Sequence, residues 1–246
     1  MMKKNIKLVI AYDGTNYHGW QVQKDKRTIQ GTIEEQLRRI TGENIRIIGS
    51  GRTDAGVHAL NQVANFKTNS DLTPLQIKRA LNSLLPEDIY VKSAECVPLK
   101  FHARYMAKSK TYEYRILNRE EPDIFQRKYH WHVIPKLDIE VMKTALSLLK
   151  GTHDFSSFVS AGGATKNHVR TIYKIELYKE DDLIRIVIEA NGFLRHMVRN
   201  IVGTVVQLGY GKISLDQFKD IFAACDRQAA GKKAPAKGLF LVKVTY

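Results

Sequence analysis

The apolar positions of this chain change period several times, and each change marks an expected element. Residues 5–12, Asn-Ile-Lys-Leu-Val-Ile-Ala-Tyr, read as a strand. Thr28 can cap a helix reaching Thr41, with Ile29, Ile33, Leu37 and Ile40 on one face and Gly42 as its stop. Strands are expected near 45–50 and 62–68, with a turn-rich stretch between them. Thr73-Pro74-Leu75-Gln76 forms a capping box with Pro at the first helical position. The helix it opens carries Leu75, Ile77, Leu81 and Leu84, ends before Pro86, and leads into a strand at 89–97. The order strand–helix–strand–strand–helix–strand is that of a ferredoxin-like α+β unit.

A connection at 98–106 follows, holding the aromatic and basic cluster Phe101-His102-Ala103-Arg104-Tyr105. Beyond it the pattern predicts strands at 111–117 and 129–134. Asp138 caps a helix with Ile139, Met142, Leu146 and Leu149 on its apolar face, stopped by Gly151. Residues 155–170, rich in Ser, Gly, Ala and Asn, read as a mobile loop. Strands at 171–179 and 183–190 come next, then helices near 194–209 and 214–223, the latter opened by the capping box Ser214-Leu215-Asp216-Gln217. A basic loop at 231–238 precedes a final strand at 239–245. The chain thus divides into two α+β halves of similar content, 1–104 and 105–246.

Composition sharpens this picture through charge. The 246 residues carry 39 Lys plus Arg against 25 Asp plus Glu, a formal net charge of +14. Such an excess repels itself unless a polyanion balances it, and nucleic acid is the favoured partner. No apolar run has the length of a membrane span, no basic amphipathic helix leaves a bulky face for lipid, and no signal-peptide core is present. A cytoplasmic protein is therefore expected. Cys96 and Cys225, the only cysteines, show no metal or redox spacing and read as buried reduced thiols. The eight histidines are scattered, so no metal site is expected; His130 and His132 share a strand face without an acidic or sulfur partner at ligand spacing. Neither Gly49-x-Gly51 nor Gly209-Tyr210-Gly211-Lys212 completes a nucleotide-binding fingerprint, which disfavours a nucleotide cofactor.

Candidate chemistry concentrates in Gly49-Ser50-Gly51-Arg52-Thr53-Asp54-Ala55-Gly56-Val57-His58-Ala59. Its three glycines permit sharp turning and close approach, and one cation, one hydroxyl and one carboxylate sit between them. Asp54, ionised beside Arg52, could be a nucleophile or a base; an Asp bonded to its own turn is the plainer alternative. Around 193–203, Leu194, Met197, Val198, Ile201 and Val202 make an apolar face, and Arg195, His196, Arg199 and Asn200 lie opposite. That polar face suits phosphate or carboxylate, or simply solvent. On the strand from Thr111, Tyr112, Tyr114 and Ile116 share a side. Tyr112 could stack on a base, while Tyr114 reads as core.

Taken together, these segments resemble the TruA family of tRNA pseudouridine synthases. The Gly51–Ala59 stretch resembles the family signature. Tyr12-Asp13-Gly14-Thr15, Gly19-Trp20-Gln21, Phe101-His102-Ala103-Arg104, Lys110-Thr111-Tyr112-Glu113-Tyr114, Gly151-Thr152-His153-Asp154-Phe155, Arg195-His196-Met197-Val198-Arg199-Asn200-Ile201-Val202-Gly203 and Ala234-Pro235-Ala236-Lys237-Gly238-Leu239 are similar to further family motifs in the same order. The resemblance implies two ferredoxin-like (RRM-like) halves forming the pseudouridine synthase fold around a basic central cleft. It implies conversion of uridine to pseudouridine at positions 38, 39 and 40 of the tRNA anticodon stem-loop, by a homodimer without cofactor or metal. It makes Asp54 the catalytic carboxylate and Arg199 the cation that positions it. Tyr112 stacks on the target base, Arg52 splays the nucleotide out, and Thr53, Arg104 and His58 contact substrate. Three rivals remain. One is a synthase of the same type with another RNA or fewer positions. A second is a non-catalytic RNA-binding module. The third, a metal-dependent nuclease using Asp54 and His58, is disfavoured because Asp54 is the only carboxylate between Glu43 and Asp71.

Overall fold

The computed structural model describes residues 3–162, 165 and 167–246. It divides into two compact units, Met1–Lys108 with Phe240–Tyr246, and Ser109–Leu239.

The first unit begins with β1 (Lys4–Tyr12), whose alternate residues Ile6, Leu8 and Ile10 are fully buried. Helix α1 (Ile29–Thr41) starts where Thr28 Oγ1 accepts from the Gly31 amide and stops where the Gly42 amide donates to Arg38 O. Ile29, Ile33 and Leu37 form its buried stripe. The next strand shrinks to β2 (Ile48–Gly49). Side chains of α1 take the backbone groups a longer strand would use: the Ile47 amide donates to Glu34 Oε1 (2.9 Å) and Gln30 Nε2 donates to Ile47 O (3.1 Å). Strand β3 (His58–Thr68) is longer than its own pattern predicts. Helix α2 (Pro74–Leu84) has both halves of its capping box in place. It buries Ile77 and Leu81 against β4 (Ile89–Val97), while Leu75 and Leu84 are exposed. Burying each such aliphatic side chain is worth roughly 1.5–3 kcal/mol, so these stripes hold the helices to the sheet.

The second unit runs β5 (Ser109–Leu117), β6 (Trp131–His132), α3 (Ile139–Ser147), β7 (Gly151–Asp154), β8 (Val169–Glu180), β9 (Leu183–Ala190), α4 (Met197–Gly209) and α5 (Leu215–Ala223). Its strands lie in the order β5-β9-β8-β7, all antiparallel, with β6 parallel to β5 at Ile116–Trp131. Contrary to the expectation from sequence, Gly151 does not stop α3; the helix ends earlier and Gly151 opens β7, opposite Ile172. The expected mobile loop is core at its start. Ser156–Phe158 form a short 3-10 turn, Phe155 and Phe158 are fully buried, and Phe158 stacks on Phe218. Residues 163, 164 and 166 of that loop lie outside the described residues.

The last strand, β10 (Leu239–Thr245), pairs parallel with β3 at Phe240–His58 and Leu241–Ala59. The first unit's sheet is therefore ordered β4-β1-β3-β10, with β2 also on β3. This corrects the linear division at 104/105. The Lys108 amide donates to Thr245 O (2.8 Å), Asn61 Nδ2 to Val242 O (2.7 Å) and Tyr246 Oη to Ala103 O (2.7 Å). Those bonds tie both the connection and the C-terminal strand to the first unit. Both cysteines are exposed, contrary to expectation: Cys96 lies on β4, a sheet-edge strand, and Cys225 in the turn after α5, with φ +50°.

Candidate active site

The Gly51–Ala59 loop leaves β2 and enters β3, and the polypeptide at 13–20 lies against it backbone to backbone. The Trp20 amide donates to Thr53 O (3.0 Å) and the Gly56 amide to Tyr17 O (3.3 Å). Gly19 makes this approach possible. It sits at φ +87°, and a Cβ there would lie 2.5 Å from Thr53 O, so any side chain would be both strained and obstructed.

Beneath the loop is a buried hydrogen-bonded network. Tyr12 Oη lies 2.8 Å from Thr53 Oγ1, Gln62 Nε2 donates to Gly51 O (2.9 Å), and Ser50 Oγ donates to Gln62 Oε1 (2.7 Å). The Ser50 amide is held by Val63 O (2.7 Å). Burial pushes the Tyr12 phenol up to about 12, with smaller opposing contributions from Thr53 and Gln62, so it stays protonated at neutral pH. A further restraint is a turn within the loop itself: the Val57 amide donates to Asp54 O (3.1 Å). Between these fixed points Arg52 is exposed and Asp54 half-buried, whereas Thr53 is buried. The loop thus holds its backbone from inside and presents Asp54 at the surface of the unit.

Tyr12→Phe is expected to cost about 1 kcal/mol of stability, the usual worth of one net hydrogen bond, and to lower activity without abolishing it. Urea unfolding and initial rates measure both. Wild-type values for both would show that the Tyr12–Thr53 bond does not hold the loop.

Two residues expected to touch substrate point elsewhere. The Thr53 hydroxyl is engaged by Tyr12. His58 is 1% exposed, stacks on Phe240 (centroids 4.7 Å) and brings Nδ1 to 3.1 Å from both the Gly14 amide and Asp13 Oδ1. Its ring faces the interior, so its place is to fix the Asp13–Gly14 turn behind the loop. Arg104, by contrast, is exposed.

In the second unit, Tyr112 is buried at 7% exposure and meets Phe193 edge to face (centroids 4.9 Å, 82°). Tyr114, on the same side of β5, is core: it is fully buried and donates to Pro235 O (2.7 Å), and burial raises its phenol above the ordinary range. Helix α4 starts only at Met197, after His196 in a left-handed conformation (φ +62°). Of its expected polar face, Arg195 is exposed, but Arg199 and Asn200 are buried. Arg199 Nε donates to Ala234 O (2.8 Å) and the Ala234 amide returns a bond to Arg199 O (3.0 Å). Asn200, fully buried, donates to Phe158 O (2.8 Å) and accepts from Arg227 (3.1 Å). The basic loop and the 3-10 turn cover that face, and Arg199 is anchored through its backbone and its Nε together.

Sequence reasoning missed Tyr12, Ser50 and Gln62 as supports of the loop. Gln62, a polar residue opening the expected strand at 62–68 directly after the loop, was the available signal.

The sequence profile of the tRNA pseudouridine synthase family matches residues 8–106 and 145–246. The chain is 50% identical over 243 residues to the tRNA pseudouridine synthase A of Thermoanaerobacter sp. (strain X514), covering 99% of this chain and 100% of that protein. It is 49% identical over 243 residues to the corresponding protein of Acetivibrio thermocellus, with the same coverage. A solved Cbf5-Nop10-Gar1 complex is similar at 16% identity and a TM-score of 0.34, over 96% of this chain and 57% of that one, too distant to add to the family match. The α+β units, the Asp54 loop and these matches together mean that the chain belongs to the tRNA pseudouridine synthase family. It is accordingly an isomerase: uridine and pseudouridine contain the same atoms, joined to the ribose through N1 in one and C5 in the other.

Proposed function

We propose that this enzyme converts uridine to pseudouridine at positions 38, 39 and 40 of the tRNA anticodon stem-loop. The observation that carries the reading is the Asp54 loop: a carboxylate at the surface of a turn whose backbone is fixed by Tyr12, Gln62, Ser50 and the 13–20 segment. Fixing the acting group in advance lowers the cost of reaching the reactive geometry.

The reaction breaks the N1–C1′ bond, turns the uracil and rejoins it through C5, with the C5 proton lost and N1 protonated. No electron is gained or lost and no group is donated, so a carboxylate, a proton acceptor and an RNA-binding surface are sufficient chemistry. In this reading Asp54 is the acting carboxylate and Arg199 the cation that positions it. Tyr112 stacks on the target base and assists proton removal. Arg52, exposed beside Asp54, occupies the space the nucleotide leaves. Extruding a stem nucleotide costs a few kcal/mol, which contacts between phosphates and a chain of net charge +14 can offset. The resemblance further supports a homodimer acting in the cytoplasm; among the described residues no helix is long and apolar enough to cross a membrane.

Transcripts carrying uridine at only one of positions 38, 39 or 40 test the range. Pseudouridine is expected in each of the three, mapped by chemical modification and mass spectrometry. Modification of only one, or of a site outside the anticodon arm, would replace this reading with a narrower or different RNA target.

A further inference from the structure

The segment joining the two units is held more firmly than a connection requires. From Pro98 to Lys108 it carries Lys100, Arg104 and Lys108 and no carboxylate. Two buried asparagines that the chemistry above does not use clamp its backbone. Asn5 Nδ2 donates to Pro98 O and Phe101 O (3.0 Å each), Asn65 Oδ1 accepts from the Ala103 amide (2.8 Å), and Asn65 Nδ2 donates to Asn5 Oδ1 (2.9 Å). Tyr246 adds a bond to Ala103 O and a ring contact with Phe101 (centroids 5.0 Å). Buried amides are retained where every bond they make is needed.

The clamp holds a turn whose outer surface is aromatic. His102 Nδ1 accepts from the amides of both Arg104 and Tyr105 (3.2 Å each), and the Met106 amide donates to His102 O (3.1 Å). With its ring locked to the backbone in this way, His102 stacks on Tyr105 (centroids 4.2 Å, 27°). The Arg104 guanidinium lies 5.6 Å from the Tyr105 centroid. Tyr105 itself is 76% exposed, so neither neighbour closes its ring off.

We propose that Tyr105, backed by His102, is a stacking platform for an unpaired base of the tRNA substrate. An exposed tyrosine on a mobile connection would lose rotamer freedom on binding. Here the ring and its backbone are already ordered, so contact costs little further entropy. A π-face with cations beside it and no carboxylate in the segment suits a nucleotide, and a base can offer its face only where it is not stacked in a duplex.

The proposal rests on the tRNA reading, and binding is measured separately from pseudouridine formation so that the two can fail separately. Equilibrium binding of an unmodified tRNA transcript to the full chain is compared across variants. Tyr105→Ala is expected to raise Kd about tenfold, with Tyr105→Phe and Tyr105→Trp remaining near wild type, because the ring rather than the hydroxyl makes the contact. The slope of log Kd against log salt should not change, since no phosphate contact is removed, and the single-turnover rate at saturating enzyme should fall far less than the affinity. Wild-type affinity in Tyr105→Ala, loss of affinity equally in Tyr105→Phe, or a reduced salt slope would each overturn the platform. A wild-type protein that forms no pseudouridine on any tRNA would instead overturn the reading on which it rests.

Discussion

Asp54→Asn is expected to abolish pseudouridine formation, lowering turnover by on the order of 10⁴-fold or more, as removal of an acting nucleophile does elsewhere. Asparagine has nearly the shape of aspartate and keeps an acceptor oxygen. The turn bond from the Val57 amide to Asp54 O is a backbone bond and is unaffected. What disappears is the negative charge and its capacity to attack or to take a proton. No cation is altered, so the variant should bind unmodified tRNA with an affinity close to wild type. Retained turnover would remove Asp54 from the chemistry. Loss of binding and turnover together would make it a structural residue of the loop.

Gly203→Ala should destabilise the protein by about 3 kcal/mol, the upper part of the usual overpacking range. In an unhindered helix interior the same change would stabilise by about 1 kcal/mol, because alanine is the better helix former. The sign reverses here because a Cβ on Gly203 would lie 1.9 Å from Lys232 O and 3.0 Å from the Ala234 amide nitrogen. Those are backbone atoms of the loop that exchanges two hydrogen bonds with Arg199. The loop must move, and Arg199 loses its anchor, so activity should fall although no reacting group is altered. A lowered urea midpoint, with activity reduced at temperatures where the variant is folded, is the expected result. An unchanged or raised midpoint would contradict the close packing of α4 against this loop.

Much of the fold was legible because its signals are local. Thr28 and Gly42 bound α1, and the capping boxes at Thr73 and Ser214 place α2 and α5, since a cap is decided within one turn of chain. The strand at Ile89–Val97 was also legible. What was not legible depends on distant partners. The start of β3 at His58 follows from pairing with β10, more than 180 residues later in the chain. The shortening of β2 follows from Gln30 and Glu34 taking its backbone groups. The polar side of α4 reads as a solvent face because nothing nearby in sequence announces that the 231–238 loop and the Phe158 turn cover it.

The site divides in the same way. Glycines and charge drew attention to the Asp54 loop, the strand and helix patterns singled out Tyr112 and the polar face carrying Arg199, and the resemblance supplied their roles. Neither distinguished the residues that face outward from those that hold the loop from behind. Thr53 and His58 belong to the supports with Tyr12 and Gln62, while Arg52 is outward. That difference depends on which side of a short turn meets the core, and turn geometry fixes it only once β1 and β3 are paired.

The most direct measurement is of the product itself. Purified wild-type protein is incubated with an unmodified tRNA transcript carrying uridine at positions 38, 39 and 40, in the presence of a chelator and without added cofactor, and the RNA is mapped for pseudouridine. The expected result is pseudouridine within the anticodon arm from the wild type and none from Asp54→Asn. Absence of pseudouridine from the wild type on any tRNA, or its formation at an equal rate by Asp54→Asn, would contradict the assignment.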